Sequence, residues 1–308
     1  MPRRHDGLQI SVPEQVLDMP QVRSKFPPWI KKRLPASPQA DSTRRILGQY
    51  QLNTVCRGAH CPNIGECFAR GTATFMIMGD VCTRSCRFCA VQGGEPLPLE
   101  PSEPERIAMA AKDMGLRHVV VTSVTRDDLE DGGAAHFAAV IRALKRLGPK
   151  MSVEVLVPDF RGREESVRTV VDAGPAVFNH NVETVPALYR TVRPEADYQV
   201  SLGVLRLAKR LRPQMLSKSG LMVGLGERKE EVEGVMDDLR RVDCDIITIG
   251  QYLRPSMEHL PVIEFIEPAE FERYRELGKR MGFSAVAAGP FVRSSFNAAE
   301  VTEEARST

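Results

Sequence analysis

Long hydrophobic runs are missing from this 308-residue sequence. No apolar stretch approaches the roughly 18 residues that a membrane span needs, so a span is not expected. Charge of one sign is scarce as well: 42 Lys and Arg against 40 Asp and Glu leave a formal net charge of +2. Domains dedicated to nucleic acid are usually far more basic, which argues against that class. The opening MPRRHDGLQISVPEQ has basic residues but no apolar stretch behind them, unlike a secretory signal. Asp6 and Glu14 make it a poor transit peptide, and the expected compartment is the cytoplasm. Cysteine is sparse, seven in all, yet Cys56, Cys61, Cys67, Cys82, Cys86 and Cys89 fall in one short stretch and only Cys244 stands apart. A reducing cytosol keeps thiols free, so metal binding is a better reading than a disulfide framework.

What is present is an alternation. Residues 1–70 read as irregular, with Pro27, Pro28, Pro35 and Pro38 breaking regular structure. From Thr74 onward, short apolar runs (TATFMIM, HVVVTSV, SVEVLVP, AVFNHNV, SGLMVGL, IITIGQYL) alternate with amphipathic stretches. Phe137, Val140, Ile141, Leu144 and Leu147 fall at helical spacing, as do Val232, Val235, Met236, Leu239 and Val242. Gly115, Gly148, Gly174 and Gly282 stand where helix C-caps belong. The runs between are rich in Val and Ile, as strands buried on both faces should be. Six strand–helix units predict an α/β fold: a partial six-stranded (β/α)6 parallel barrel over residues 74–283. Residues 1–73 form an N-terminal extension and 284–308 a C-terminal segment. Chemistry is then expected at the C-terminal ends of the strands.

Directly after the first expected strand comes Cys82-Thr-Arg-Ser-Cys86-Arg-Phe-Cys89. Spacings this short let one loop aim three soft thiolates at one point, the donor set of a four-iron cluster. Three ligands on such a cube leave one iron open to a substrate. Zinc usually draws four ligands in paired spacings, and a thioredoxin-like Cys86-x-x-Cys89 pair needs neither Cys82 nor Phe88.

The loop resembles the radical SAM superfamily, whose hallmark is CxxxCxxC with an aromatic residue, here Phe88, before the last cysteine. The resemblance implies that the open iron chelates S-adenosylmethionine (SAM), and that an electron from the cluster splits it into methionine and a 5′-deoxyadenosyl radical. Gly220-Leu-Met222-Val-Gly224-Leu-Gly-Glu227 is similar to the superfamily's GxIxGxxE element near the adenine. Gly93-Gly94-Glu95-Pro96 looks like the element that holds the SAM amino group but stands too early, and reads as a turn. Thr122, in Val121-Thr122-Ser123 at the end of the second strand, is the better candidate for that role. Asn181 and Glu183 are either contacts to ribose or the methionine end of SAM, or buried polar groups satisfied within the protein.

Cys56-x4-Cys61-x5-Cys67 is a second triad, on its own either a zinc site or a second cluster. Followed by the first triad, it closely resembles the lipoyl synthase family. The likeness extends through Pro28-Trp29-Ile30-Lys31, Cys61-Pro-Asn-Ile-Gly-Glu-Cys67, Thr122-Ser-Val-Thr-Arg-Asp-Asp128, Asn179-His-Asn-Val-Glu-Thr184 and Arg293-Ser-Ser-Phe296, where many members have Tyr for the last residue. It implies two 4Fe-4S clusters, with Ser295 as fourth ligand of the auxiliary one. It also implies sulfur insertion at carbons 6 and 8 of an octanoyl group on a lysine of a lipoyl carrier domain. Such C–H bonds have no acidity, so a cofactor-derived radical must break them while the protein positions. The implied partners are 2-oxoacid dehydrogenase E2 subunits, glycine cleavage H protein, a small electron donor such as flavodoxin or ferredoxin, and iron–sulfur carrier proteins.

Lys31-Lys32-Arg33 and Arg44-Arg45 read either as a surface for an acidic carrier domain or as ordinary solvated charge. Arg126, Asp127 and Asp128 read as substrate contacts or as the start of a helix, and Cys244 as a buried apolar residue. The rival readings are another two-cluster radical enzyme, a zinc module binding nucleic acid, and an iron–sulfur electron carrier.

Overall fold

All six expected strands form, in the expected order. The structure, a computed structural model, describes residues 26–31 and 37–307. The opening residues, Lys32, Arg33 and Pro35 lie outside the described residues. In chain order the strands are β1 (Thr74–Ile77), a short ribbon of β2 (Val81–Cys82) and β3 (Gln92–Gly93), then β4 (His118–Ser123), β5 (Ser152–Leu156), β6 (Val177–Asn179), β7 (Leu216–Val223) and β8 (Ile246–Gln251). A seventh barrel strand, β9 (Ala285–Gly289), extends the sheet beyond the expected six. The order is β1-β4-β5-β6-β7-β8-β9, every pairing parallel. The sequence AVAAG has little β propensity, and the strand owes its place to pairing with β8, from Ile246↔Ala285 to Gly250↔Gly289.

Residues before Thr74 are less irregular than their prolines suggest. Helix α1 (Pro38–Gln49) starts on a cap at Ser37, whose Oγ accepts from Ala40 N at 3.2 Å, and Pro38 sits in its first turn, where proline starts a helix rather than breaking one. Short helices α2 (Val55–Gly58) and α3 (Ile64–Ala69) follow. The crossover helices are α4 (Glu103–Asp113), α5 (Ala134–Lys145), α6 (Glu164–Asp172), the short α7 (Tyr189–Val192), α8 (Tyr198–Leu211), α9 (Lys229–Arg241) and α10 (Pro268–Arg280), with α11 (Ala298–Ser307) at the end. In α5 the expected face from Phe137 to Leu144 is buried, but Leu147 is exposed because the helix stops at Lys145. The five residues from Val232 to Val242 are buried as expected, four of them in α9 and Val242 at its C-cap. Cys244 is buried and apolar in its surroundings, as read.

The barrel interior holds a polar layer that Val- and Ile-rich runs did not announce. Lys218 Nζ donates to Glu154 Oε1 at 2.8 Å, both residues being fully buried. Burial alone would raise the Glu154 carboxyl, but Lys218 and His118 outweigh it and hold it below its ordinary range.

The segments before β1 and after β9 meet beside the sheet's edge strands. Thr54 bridges to Phe75 of β1, and Met76 N donates to Asn53 O at 2.9 Å. From the same region, Asn63 Nδ2 donates to Phe291 O at 2.7 Å, just past β9. Among the described residues no helix is long and apolar enough to cross a membrane.

Candidate functional site

Residues at the C-terminal ends of the strands surround one cavity of about 430 Å³, the size of a small-molecule site. Cys82, Cys86 and Cys89 all line it. Their loop is pinned throughout. Cys82 Sγ accepts from Thr125 N at 3.2 Å, and Cys89 N donates to Cys86 O at 3.0 Å. The β2–β3 ribbon pairs Cys82 with Gly93, and Gly94 N donates to Cys82 O at 2.9 Å. The GGEP segment is therefore the strap that closes the loop, a correction to its reading as a turn. Burial pushes the Cys89 thiol up to about 12 and raises Cys86, so a metal binding them as thiolates must displace their protons.

The other candidates also line this cavity. Phe88 packs with Val192, Leu225, Tyr252 and Leu260. Thr122 Oγ1 donates to Leu156 O at 3.1 Å, whereas Oγ of the next residue, Ser123, is buried without a partner. Asn181 Nδ2 donates to Glu183 Oε1 at 3.0 Å and to Ser294 Oγ at 2.7 Å, leaving its Oδ1 buried and unpartnered. Glu183 has φ +67, uncommon for a residue with a Cβ, and is held there by Glu183 N to Gly220 O at 2.9 Å and Met222 N to Glu183 O at 2.8 Å. Burial raises its carboxyl. Gly220 leaves room for this cluster: a Cβ there would lie 2.5 Å from Thr248 Oγ1 and 3.0 Å from Ser294 Oγ. Glu227 turns away, accepting from Leu225 N at 2.9 Å, so it shapes the end of β7.

The second triad adjoins the same cavity. Cys56 is in α2, Cys67 in α3, and Cys61 on the turn between, where Cys61 N donates to Cys56 O at 3.1 Å. Cys56 and Cys61 line the cavity. Burial, and secondarily the neighbouring Cys61 and Cys67, push Cys56 up to about 12. After β9 the chain passes so close to β8 that a Cβ on Gly250 would lie 2.1 Å from Val292 O, and it brings Ser294 and Ser295 to the cavity wall. Among the described residues no group of three or more His, Cys, Asp or Glu is arranged to hold a single metal ion. The soft donors instead fit iron–sulfur units, and the unpartnered polar atoms of Ser123 and Asn181 fit a polar organic ligand between them.

Comparison with known proteins agrees. Residues 76–239 match the radical SAM superfamily. The lipoyl synthase of Caldanaerobacter subterraneus subsp. tengcongensis is 61% identical over 272 residues, 88% of this chain and 95% of that protein. That of Rubrobacter xylanophilus is 55% identical, over 96% of this chain and 92% of that protein. The chain belongs to the lipoyl synthase family. Among solved structures, HydG, a maturase of the FeFe hydrogenase, shares the fold with a TM-score of 0.57 at 14% identity, covering 85% of this chain and 69% of that one. Membership in the lipoyl synthase family makes the chain a radical SAM enzyme, a class that implies a 4Fe-4S cluster and SAM.

Several residues around this cavity escaped the sequence. Arg193, from just after α7, donates to Asn181 O and Tyr189 Oη, both at 3.1 Å, and its buried Nε has no partner. His180 is buried beside it, and burial with the Arg193 charge lowers its imidazole to about 4. Arg84, inside the cysteine loop, donates to both Asp127 (2.7 and 3.1 Å) and Asp159 (2.6 and 2.8 Å). Burial alone would raise Asp159, but Arg84 outweighs it and holds the carboxyl at about 2. Asp127 therefore faces the loop, while Arg126 pairs with Asp128 at 2.8 Å. The helix that follows starts only at Ala134, so the three do not begin it.

Proposed function

We propose that this chain inserts two sulfur atoms, at C6 and C8, into the octanoyl group carried on a lysine of lipoyl carrier domains. The observation that carries the reading is that Cys82, Cys86 and Cys89 line one cavity together with Cys56, Cys61 and Ser295, with Cys67 close enough to act on Cys56. In this reading Cys82, Cys86 and Cys89 hold a 4Fe-4S cluster, and Cys56, Cys61, Cys67 and Ser295 hold a second. When bound, the first group supplies the electron that cleaves SAM and the second supplies sulfur.

The chain's own residues position and shield. Phe88 and Met222 offer apolar surface for the adenosyl part of SAM. Thr122, Asn181 and Glu183 offer hydrogen bonds to its polar ends, and buried Arg193 offers charge to a carboxylate. No residue is needed as general acid or base, because the substrate carbons lose hydrogen atoms and not protons. What the protein must do is bring the octanoyl carbons near both sites and exclude water, which a largely apolar cavity does. Ser294 is committed to Asn181, while Ser295 makes no hydrogen bond to its side chain among the described residues, which supports Ser295 as the ligand.

The partners that go with this reading are octanoylated E2 subunits and glycine cleavage H protein, flavodoxin or ferredoxin as electron donor, and iron–sulfur carriers in the cytoplasm. Residues 1–73 would then supply the auxiliary cysteines, 74–283 the SAM site, and 284–308 the serine. Anaerobic incubation with SAM, dithionite and an octanoyl-lysine peptide tests it. Lipoyl-lysine and methionine are the expected products; SAM cleavage without any sulfur in the peptide would overturn the substrate assignment.

A further inference from the structure

Asparagine is a favoured helix N-cap because its side-chain oxygen accepts from an early helical N–H. Asn63 stands at the N-cap of α3 and makes no such bond. Its side chain, 1% exposed, instead donates from Nδ2 to Phe291 O at 2.7 Å, across 228 residues of sequence. Its own carbonyl accepts from Cys67 N at 2.9 Å, and Ile64 N beside it donates to Cys61 O at 3.2 Å. Asn63 thus ties Cys67 through its main chain and the serine-bearing segment through its side chain, next to the residue that ties Cys61. Phe291 is four residues before Ser295, and the path between is compact: Val292 N donates to Gly289 O at 3.0 Å and Phe296 N to Arg293 O at 2.9 Å.

The segment has other anchors. Gly250 fixes its approach to β8, and Ser294 fixes it to Asn181 on the side of the first triad. The Asn63 hydrogen bond is the buried contact described between it and the turn carrying Cys61 and Cys67, beside the exposed clasp of Arg70 on Asn297 and Glu300. A serine oxygen is a weaker partner for iron than a thiolate, so a serine ligand needs its position set in advance by the protein.

We propose that Asn63 is the positioning residue that sets Ser295 against Cys56, Cys61 and Cys67. The proposal rests on the two-site reading of function given above. A buried amide donor facing a carbonyl cannot be replaced by a carboxylate without putting two acceptors together.

Asn63→Asp, nearly the same shape, and Asn63→Ala test it in two ways. In metal-free protein, hydrogen exchange of amides in 290–297 should quicken about tenfold, the effect of losing one buried hydrogen bond, while β8 exchanges as before. In reconstituted protein, lipoyl product should fall at least about tenfold while 5′-deoxyadenosine formation stays within about twofold, since the first triad is untouched. Unchanged exchange in 290–297, or full product from both variants, overturns the proposal. So does an equal fall of both products, which marks Asn63 as merely structural. If the unsubstituted chain cleaves SAM but makes no lipoyl product, the functional reading fails, and the exchange measurement still decides whether Asn63 anchors the segment.

Discussion

The two cysteine regions are held in opposite ways. In the Cys82–Cys89 loop almost every residue is tied to a different part of the barrel. Thr83 binds Thr125, Arg84 binds Asp127 and Asp159, Ser85 N binds Glu195, Arg87 N binds Val192 O, and Cys89 O meets His259 Nε2 at 3.0 Å. The Cys56–Cys67 region is instead assembled from the segments before β1 and after β9, through buried Asn63 and an exposed clasp of Arg70 on Asn297 and Glu300. A site that acts on successive SAM molecules benefits from fixed geometry. In the proposed function the second site gives up sulfur and has to be rebuilt, and segments flanking the sheet can part more easily than a loop inside it can rearrange.

The largest expected effects come from emptying either region. Replacing Cys82, Cys86 and Cys89 by Ala should abolish SAM cleavage, because no open iron remains to deliver the electron. Replacing Cys56, Cys61 and Cys67 should leave 5′-deoxyadenosine formation intact and stop sulfur insertion. Iron should fall from about eight to about four per chain in each case, since a cubane holds four. A folded second variant that no longer cleaves SAM would break the division of labour, and stoichiometric zinc without acid-labile sulfide would remove both clusters from the account.

A single atom should have nearly as large an effect at the second site. Ser295→Cys replaces a hard oxygen by a soft sulfur that iron holds more firmly. Both clusters should load and SAM should still be cleaved, yet most or all lipoyl product should disappear, because the site no longer opens. Ser294→Cys is the control: its hydroxyl is engaged by Asn181, so its loss should disturb the first triad's pocket more than sulfur release. Full product from Ser295→Cys removes the labile-ligand idea, and severe loss of sulfur insertion from Ser294→Cys alone shows the other serine to be the ligand.

The same contrast explains what was legible in the sequence. The first triad is local, so the sequence already suggested that Cys82, Cys86 and Cys89 share one place, and all three line the cavity. β1 and the strands from β4 to β8 announce themselves as short apolar runs between stretches of helical period. The Ala- and Gly-rich β9 does not, because its pairing with β8 and not its composition makes it a strand. Helix α1 was hidden by a proline that starts it. Asn63, Arg84 and Arg193 act on partners brought close only by folding, 228 residues away in the first case, so no spacing rule could find them. Arg126, Asp127 and Asp128 are adjacent in sequence but divided in space: Arg126 pairs with Asp128 while Asp127 serves the loop.

A pH series on metal-free protein sharpens the comparison at intermediate size. Asp159 is depressed to about 2 against about 3.9 unfolded, so its contribution is present above pH 4 and is lost as pH falls toward 2. The expected loss is about 2 kcal/mol, and Asp159→Asn should flatten that part of the curve. His180, lowered to about 4 from 6.5, acts in a separate window: the unfolded chain takes up its proton first, so stability falls between about pH 6.5 and 4. Urea midpoints at pH 6.5, 4 and 2.5 distinguish the two. If Asp159→Asn changes only the upper interval, the Arg84 pairing is not what holds the loop.

The smallest effect belongs to the exposed clasp. Arg70 Nη1 donates to Asn297 Oδ1 at 2.6 Å and a second guanidinium nitrogen pairs with Glu300, but the two charged side chains are 46% and 53% exposed. Exposed pairs contribute about 0–1 kcal/mol and weaken further with salt. Asn297 has φ +51 just before α11, so the clasp bears on the junction where the serine-bearing segment turns into that helix. Arg70→Ala should leave global stability within about 1 kcal/mol and a single round of sulfur insertion within about threefold. It should nevertheless speed amide exchange at the start of α11, and high salt should mimic it in the unsubstituted chain. A loss of product as deep as that expected for Asn63→Asp would mean that the exposed clasp and the buried amide hold Ser295 jointly, and that the second site is held as firmly as the first.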